Sequence, residues 1–395
     1  MCGRKRRQLQ KLTFTSQNYV GVGALSHLSD EIQKYEPKKV VIITDHILVE
    51  LGLLDSVFST LETNGIKYTV FSDIEPEPSV QLAQRLVDFV QEKQGDFIIG
   101  IGGGSALDLA KLSAVLSYHE GKVEQYLNLT GTKEVTERGI PKILIPTTSG
   151  TGSEVTNITV LSLETTKDVI AHDYLLADVT IVDPELTITM PKRVTAATGI
   201  DALTHAVEAY LSKNSSIVTD GLALHAVKLI ARSLKKAVHE PNHLEARTDM
   251  SVASYMAGMA FFNAGVAGVH ALAYPLGGQF HLPHGEANAV LLPYVMNHIK
   301  EACHTRMKDL LCALDASYTD MASEEATHIF IDKLFDIIKE VELPTKLELY
   351  SIPKDAIGLL TADAKKQTRL LARSPLELTY DDIYTIYTDA YEGRQ

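Results

Sequence analysis

The chain has 395 residues, of which 45% are hydrophobic and 22% charged, the composition of an ordinary globular protein. Its formal net charge of −13 argues against nucleic-acid or anionic-membrane partners, because both bind best to a basic surface. No apolar run reaches the roughly 20 residues that a membrane-spanning helix needs. At this length two domains are expected rather than one core.

A basic run occupies residues 4–7, near the start of the chain. It is not followed by the apolar stretch of a secretory signal, so we interpret it as a mobile arm or a vector remnant. The three cysteines, Cys2, Cys303 and Cys312, form no CxxC pair. They predict neither a disulfide framework nor a thiolate zinc site, and they favour a reducing cytoplasm.

The first half of the chain alternates short apolar runs with helical patterns. Continuous apolar strands that alternate with helices indicate a parallel sheet covered on both faces. We predict strands at residues 40–44, 68–71, 97–101, 142–146 and 179–182, and a helix at residues 79–91.

The second half has helical spacing almost throughout. We predict helices at residues 196–211, 220–239 and 244–262, and the change of pattern falls near residues 183–192. The expected organisation is therefore an α/β domain over residues 1–190 and an all-helical domain over residues 191–395. A cleft between two such domains is a favoured ligand site.

Two polar turns follow two strands of the predicted sheet. The strand at 97–101 leads into Gly102, Gly103, Gly104 and Ser105 and then a helix, whose first amides favour an anionic phosphate. The strand at 142–146 leads into a hydroxyl-rich turn at residues 147–154. Either turn alone also fits a plain tight turn or a solvated loop, and neither is a GxGxxG fingerprint. Together they favour a dinucleotide cofactor.

Asp45 follows the first predicted strand. A carboxylate at this place accepts hydrogen bonds from an adenosine ribose and repels a 2′-phosphate, which favours NAD over NADP. A helix cap is the alternative interpretation of the same residue.

Four residues in the second half are candidate metal ligands. Asp201 and His205 are four residues apart, which puts them on one face of a helix, although a surface pair has the same spacing. His270 lies in a small, apolar segment where a buried core histidine is the alternative. His284 lies in a turn between a proline and a glycine.

One carboxylate and three imidazoles suit Fe²⁺, Zn²⁺, Co²⁺ or Mn²⁺ and leave a position for water or a substrate oxygen. We therefore predict one divalent metal site at Asp201, His205, His270 and His284. His281, three residues before the last of these, is a candidate to line the same pocket.

With these motifs the chain resembles the iron-containing (group III) alcohol dehydrogenases over nearly its whole length. The motifs are residues 102–105 with Asp108, Ala110 and Lys111; residues 146–154; residues 197–205; and His270 with Pro283, His284 and Gly285. The resemblance implies a dehydroquinate synthase-like architecture, with a dinucleotide-binding α/β domain, a helical domain and a metal in the cleft. It implies that Asp201, His205, His270 and His284 bind the metal as a set, Fe²⁺ first and Zn²⁺ second. It implies cofactor contacts from Asp45, Gly102, Gly103, Gly104, Ser105, Asp108, Thr147, Thr148 and Thr151.

The function implied by the resemblance is the NAD(H)-dependent interconversion of a small primary or secondary alcohol and its aldehyde or ketone. The metal would stabilise the alkoxide as a Lewis acid, and the cofactor would carry the hydride. The expected partners are a small alcohol or aldehyde and further copies of the chain in a homodimer or higher homo-oligomer, with no nucleic acid and no membrane.

Two positions depart from the family pattern. Tyr274 stands where lactaldehyde-reducing relatives often have a second histidine, and we treat Tyr274 and His281 as the catalytic candidates. Phe262 stands where many relatives have serine, so we expect Phe261 and Phe262 to shape the substrate pocket.

Three alternatives remain open. A dehydroquinate-synthase-like lyase shares the fold but uses metal and NAD differently, so NADH formation from a simple alcohol separates the two. A glycerol dehydrogenase has three protein ligands to zinc, against the four found here. An NAD-sensing or scaffold protein with a structural metal would turn over no alcohol, and structural sites are usually closed and cysteine-rich.

Overall fold

The computed structural model describes residues 9–163 and 166–394. Cys2 and the basic run at residues 4–7 lie outside these residues, so the interpretation of that run stays a prediction. The chain divides into two compact units. We call them the α/β unit, residues 14–189, and the helical unit, residues 190–394 with residues 9–13.

The α/β unit contains eight strands and five α-helices among its described residues. The strands are β1 (Gln17–Val20), β2 (Lys39–Ile43), β3 (Lys67–Phe71), β4 (Phe97–Gly102), β5 (Lys142–Pro146), β6 (Ile158–Ser162), β7 (Lys167–Ala171) and β8 (Val179–Val182). The helices are α1 (Leu28–Tyr35), α2 (His46–Glu50), α3 (Asp55–Thr63), α4 (Val80–Lys93) and α5 (Gly104–Leu116). Six strands form a parallel sheet in the order β1-β8-β5-β4-β2-β3, and β6 and β7 form an antiparallel hairpin.

Both faces of the six-stranded sheet are covered. Along β2, Val41 and Ile43 pack into one hydrophobic cluster with residues of α4 and α5, whereas Val40 and Ile42 pack into another with residues of α1 and α3. Successive side chains of a strand point to opposite faces, so a strand covered on both sides must be apolar throughout. The predicted parallel sheet is therefore confirmed, and its carboxyl edge carries the glycine-rich turn between β4 and α5.

The helical unit contains ten α-helices among its described residues. They are α6 (Lys192–Leu211), α7 (Ile217–His239), α8 (Leu244–Ala264), α9 (Gly268–Phe280), α10 (His284–Ile299), α11 (His304–Leu314), α12 (Ser323–Glu340), α13 (Ile357–Lys365), α14 (Thr368–Leu371) and α15 (Tyr380–Glu392). Nearly every residue of α6 from Thr195 onward is buried. In the described part of the chain no single helix has the length and hydropathy of a membrane span; α8 and α9 pass that test as a pair but are bent by 104°.

The predicted elements are found with shifted ends. α6 begins at Lys192, directly after Pro191. α7 begins at Ile217, where Ser216 and Thr219 form a capping box. β1 and the β6–β7 hairpin were not predicted. β1 is a short edge strand that starts with polar residues, and β6 alternates buried and half-buried positions instead of forming a continuous apolar run.

Candidate active site

The four predicted ligands come together in the helical unit. Asp201 and His205 lie one turn apart on α6, His270 is on α9, and His284 is the first residue of α10. One donor atom of each lies within 4.8 Å of the others. The Nε2 atoms of the histidines are 4.0, 3.9 and 3.7 Å from Asp201 Oδ1 in chain order. We call these residues the four-residue cluster.

The turn before α10 explains how His284 reaches the cluster. Gly285 packs so closely against α6 that a Cβ atom at this position would overlap the carbonyl group of Ala197. Only glycine permits this approach of the two helices, and Pro283 sets the direction of the chain just before it. The side chain of His284 is 30% exposed, whereas the other three members of the cluster are buried. The cluster is therefore open to solvent or a ligand on the side of His284.

The charges of the cluster favour a carboxylate at Asp201. Burial by itself would raise the pKa of Asp201, but the neighbouring His205, His284 and His270 and a hydrogen bond from Asn288 lower it overall. An ionised carboxylate among imidazoles is a hard oxygen donor beside three nitrogen donors.

Asn288 supports the fit of a cation among these donors. Its Nδ2 lies 2.7 Å from Asp201 Oδ1 and 3.3 and 3.2 Å from Nε2 of His270 and His284. The acceptor lone pairs of the cluster therefore converge toward an electropositive N–H group, as they would toward a metal ion. The buried Oδ1 of Asn288 has no hydrogen-bond partner among the described residues. Asn288 lies four residues after His284, and this helical spacing is the sequence signal that would have identified it as part of the site.

Glu208 is a buried acid of the site that the sequence analysis missed. Its Oε2 accepts hydrogen bonds from His270 Nδ1 at 2.7 Å and from the amide of Ala267 at 3.0 Å, and its Oε1 accepts one from the amide of Val269 at 2.6 Å. Glu208 lies on α6, seven residues after Asp201. This spacing of about two turns puts it on the same face of the helix as Asp201 and is the sequence signal that would have identified it.

Aromatic residues surround the four-residue cluster. The ring of Phe261 stacks on His205 with centroids 4.2 Å apart and planes at 17°. The ring of Tyr274 is buried, and its centroid lies 6.1 Å from that of the His284 ring. Phe262 is half-buried on α8, and His281 is exposed in a left-handed conformation at the end of α9. Of the predicted pocket residues, Phe261 and Tyr274 therefore contact or adjoin the cluster most closely.

The glycine-rich turn lies at the end of β4 in the α/β unit. Gly102 has a φ of 153°, and a Cβ at this position would lie 2.8 Å from Asp45 Oδ2. Asp45 accepts a hydrogen bond from the amide of Gly103, yet its pKa is raised because burial outweighs that bond. Asp45 occupies the N-cap position of α2, but its side chain makes no capping hydrogen bond. The carboxylate instead faces the glycine-rich turn.

The hydroxyl-rich turn after β5 packs directly against the glycine-rich turn. The amide of Thr147 donates to the carbonyl of Gly102 at 2.9 Å. A Cβ on Gly103 would lie 3.5 Å from Thr148 Cγ2, and one on Gly104 would lie 2.8 Å from Thr151 Cγ2. The structure thus brings together the two turns that the sequence predicts to share one ligand, and Ser105 stands half-buried at the start of α5.

A buried charge network lies under the two turns. Asp108 accepts hydrogen bonds from Ser153 Oγ at 2.5 Å and the amide of Val160 at 2.8 Å, and it pairs with Lys111 Nζ at 2.8 Å. Burial lowers the pKa of Lys111, against the opposing charge of Asp108. Burial raises the pKa of Glu154 to about 7. The carboxylate of Asp108 is thus bonded within the chain, where it holds the hydroxyl-rich turn against α5.

Comparisons with known proteins cover both units. A family model described as "Iron-containing alcohol dehydrogenase" matches residues 15–184, and one described as "Fe-containing alcohol dehydrogenase family, C-terminal" matches residues 195–391. Long-chain-alcohol dehydrogenase 1 of Geobacillus thermodenitrificans is 55% identical over 97% of both chains. The 1,3-propanediol dehydrogenase of Klebsiella pneumoniae is 37% identical over 95% of this chain and 97% of its own.

Solved structures agree with these matches. A 1,3-propanediol oxidoreductase has a TM-score of 0.93 at 34% identity, with 97% of this chain and 100% of the other covered. Sulfoacetaldehyde reductase from Bifidobacterium kashiwanohense in complex with NAD⁺ has a TM-score of 0.89 at 28% identity, with 98% and 100% covered. The predicted fold class, enzyme class and family are confirmed: the chain belongs to the iron-containing alcohol dehydrogenase family.

Proposed function

We propose that this enzyme interconverts aliphatic alcohols and their aldehydes with NAD(H), with one divalent metal ion held by Asp201, His205, His270 and His284. The observation that carries the proposal is the convergence of four donor atoms within 4.8 Å in the helical unit. Fe²⁺ is the first candidate, in line with the family, and Zn²⁺ the second, because both accept imidazole nitrogen and carboxylate oxygen.

When bound, the metal ion supplies Lewis-acid polarisation of the substrate oxygen, and the nicotinamide carries the hydride. The chain's own residues provide orientation and charge. Asp201 contributes an ionised carboxylate, and Asn288 donates to that carboxylate from α10. The ring centroids of Tyr274 and His284 lie 6.1 Å apart, and the hydroxyl of Tyr274 would orient the substrate oxygen or exchange its proton. His281, which is exposed at the end of α9, stays the second catalytic candidate.

We propose NAD rather than NADP as the cofactor. Support comes from Asp45, whose carboxylate lies against Gly102 and Gly103 at the end of β2, where it would repel a 2′-phosphate. The proposed cofactor contacts are Asp45, Gly102, Gly103, Gly104, Ser105, Asp108, Thr147, Thr148 and Thr151. Residues 1–190 would form the cofactor domain and residues 191–395 the metal domain.

The rings of Phe261 and Tyr274 beside the cluster, which we call the aromatic wall, support a substrate with an apolar chain. Phe261 stacks on His205, so an aromatic ring lies directly against one member of the cluster. Phe262 is the next residue of α8 and is half-buried. The relative at 55% identity is a long-chain-alcohol dehydrogenase, which favours the longer members of an aliphatic series.

We propose a cytoplasmic homodimer. The cysteine usage supports a reducing compartment. β1 is an edge strand of the sheet, and Val20 at its end and Val22 just after it are exposed. An exposed edge strand is a site where a second copy of the chain can pair.

A substrate panel tests the proposal. Protein of measured metal content is assayed with a homologous series of linear primary alcohols, diols and hydroxy acids, each with NAD and with NADP. We expect NADH formation from linear alcohols, loss of activity in chelator-treated protein and recovery with added Fe²⁺ or Zn²⁺. The Asp45→Ser variant should gain relative activity with NADP. Metal-loaded protein that reduces no NAD with any alcohol would refute the function.

A further inference from the structure

Glu208 belongs to neither the four-residue cluster nor the aromatic wall, yet it is only 2% exposed and accepts three hydrogen bonds. Burial of a carboxylate costs free energy unless donors satisfy it. All three of its donors lie at the start of α9, in His270 and in the amides of Ala267 and Val269. One buried acid of α6 therefore organises the beginning of a second helix.

The start of α9 needs such an acceptor. The residue before the helix is Ala267, which has no side-chain acceptor and makes no capping bond. The first amides of a helix lack partners within the helix and must find acceptors elsewhere. Glu208 supplies them from α6, at 3.0 Å from the amide of Ala267 and 2.6 Å from that of Val269.

The third bond determines which nitrogen of His270 faces the cluster. A carboxylate accepts but cannot donate, so Nδ1 of His270 must carry the proton in the 2.7 Å bond to Glu208. Nε2 is then left with a lone pair, and this atom lies 3.9 Å from Asp201 Oδ1. Without Glu208 the other tautomer, which presents N–H to the cluster, becomes available to His270.

We propose that Glu208 is a positioning residue that fixes the metal-binding tautomer and orientation of His270 while it caps α9, so that metal affinity depends on its negative charge. Together, Glu208 and Asp201 give the centre two buried negative charges, which balance the two positive charges of a divalent cation. The inference rests on the proposed function, because it requires the cluster to bind a metal.

The test is a metal titration of the Glu208→Gln variant. Glutamine keeps the size of the side chain but removes its negative charge, and either orientation of its amide places an NH₂ group against at least one of the three donors. Metal-free protein is titrated with Co²⁺, and the ligand-field spectrum reports both affinity and coordination. We expect affinity to fall about 10–100-fold, the usual effect of losing a carboxylate that orients a ligand histidine, with an altered spectrum. Glu208→Asp keeps the charge and should restore part of the affinity.

Asp249→Asn is the matched control. Asp249 is also a buried carboxylate of the helical unit with three donors, from Arg232 at 2.8 and 2.6 Å and from Ser233 Oγ. Its loss should lower thermal stability and leave Co²⁺ affinity at the wild-type value. Equal loss of Co²⁺ affinity in both variants would show that Glu208 has only a structural role and would overturn the proposal. Unchanged Co²⁺ affinity in Glu208→Gln would overturn it as well.

Two measurements on folded wild-type protein complete the test. The ring-nitrogen NMR shifts of neutral His270 in metal-free protein should show the Nδ1–H tautomer, and the Nε2–H tautomer would overturn the proposal even if Glu208→Gln does not fold. Co²⁺ binding by the wild type, lost in His270→Ala, tests the metal site itself. If the wild type does not bind Co²⁺ in the cluster, the proposed function fails, independently of any result on Glu208.

Discussion

The four-residue cluster and the glycine-rich turn are built from different parts of the polypeptide. In the cluster, side chains from α6, α9 and α10 supply the donor atoms, and the backbone only carries them. In the turn, the absence of side chains at Gly102 and Gly104 lets Asp45 and Thr151 lie directly against the backbone. The cluster should therefore be sensitive to the removal of a side chain, whereas the turn should be sensitive to the addition of one.

The largest expected effect is that of His270→Ala. Loss of a ligand should weaken metal binding and remove Lewis-acid stabilisation worth several kcal/mol, so kcat/KM should fall on the order of 10³-fold. Metal analysis and steady-state assays of the variant measure both effects. His298→Ala is the control, because His298 on α10 pairs with Asp382 outside the cluster and its loss should leave metal content unchanged. Full activity and full metal content in His270→Ala would contradict the role given to the cluster.

The buried network under the turns should make stability depend on pH. Burial raises the pKa of Glu154 to about 7. Its folded-state pKa lies above the unfolded value, so its contribution to stability is complete below about pH 4.5 and is lost as pH rises through about 7. The wild type should lose up to about 3 kcal/mol of unfolding free energy across this interval relative to Glu154→Gln. Urea unfolding of both proteins at several pH values measures the difference, and parallel pH profiles would contradict it.

Addition of one methyl group to the turn should weaken cofactor binding without disturbing the metal. In Gly102→Ala the new Cβ meets Asp45 Oδ2 and adopts a backbone conformation unfavourable to alanine, at about 1–3 kcal/mol. NAD affinity should fall about tenfold or more, as measured by fluorescence titration. Gly221→Ala on α7, where a Cβ meets nothing within 4 Å, should bind NAD like the wild type. Wild-type NAD affinity in the Gly102→Ala variant would show that the cofactor does not bind at this turn.

The smallest expected effect is that of Tyr274→Phe, which tests the aromatic side of the cluster. Loss of one hydroxyl that interacts with the substrate oxygen should lower kcat up to about tenfold, with metal content unchanged. Tyr294→Phe removes a hydroxyl bonded to the carbonyl of Thr345 and should affect stability alone. If kcat is the same in the Tyr274→Phe variant and the wild type, the hydroxyl takes no part in the reaction.

The sequence predicted those features that depend on local spacing. The apolar runs of β2, β4, β5 and β8 identified the sheet, and the interval between Asp201 and His205 identified one face of α6. Glycines at the end of β4 identified the tight turn between β4 and α5. Each of these signals lies within a few residues of the feature it predicts, so no knowledge of the tertiary structure was needed.

Contacts between distant segments could not be predicted in the same way. Glu208 is informative only because the start of α9, about 60 residues later, folds back onto α6. The family resemblance implies that Asp108 contacts the cofactor, and that contact stays a prediction. The bonds of Asp108 to Ser153 and Val160 depend on residues 45 and 52 positions later in the chain, which no local pattern indicates. A pattern of residue types does not reveal which donors a buried carboxylate meets.

The donors that α6 carries and holds in place affect which metal ion the enzyme acquires. This helix carries two of the four donors and, through Glu208, holds a third, so most of the coordination geometry is preorganised before any metal arrives. A preformed site of imidazole and carboxylate binds several divalent ions and follows the general affinity order of the first-row metals. We therefore expect the metal found in purified protein to reflect the ion supply of the producing cell more than the selectivity of the chain.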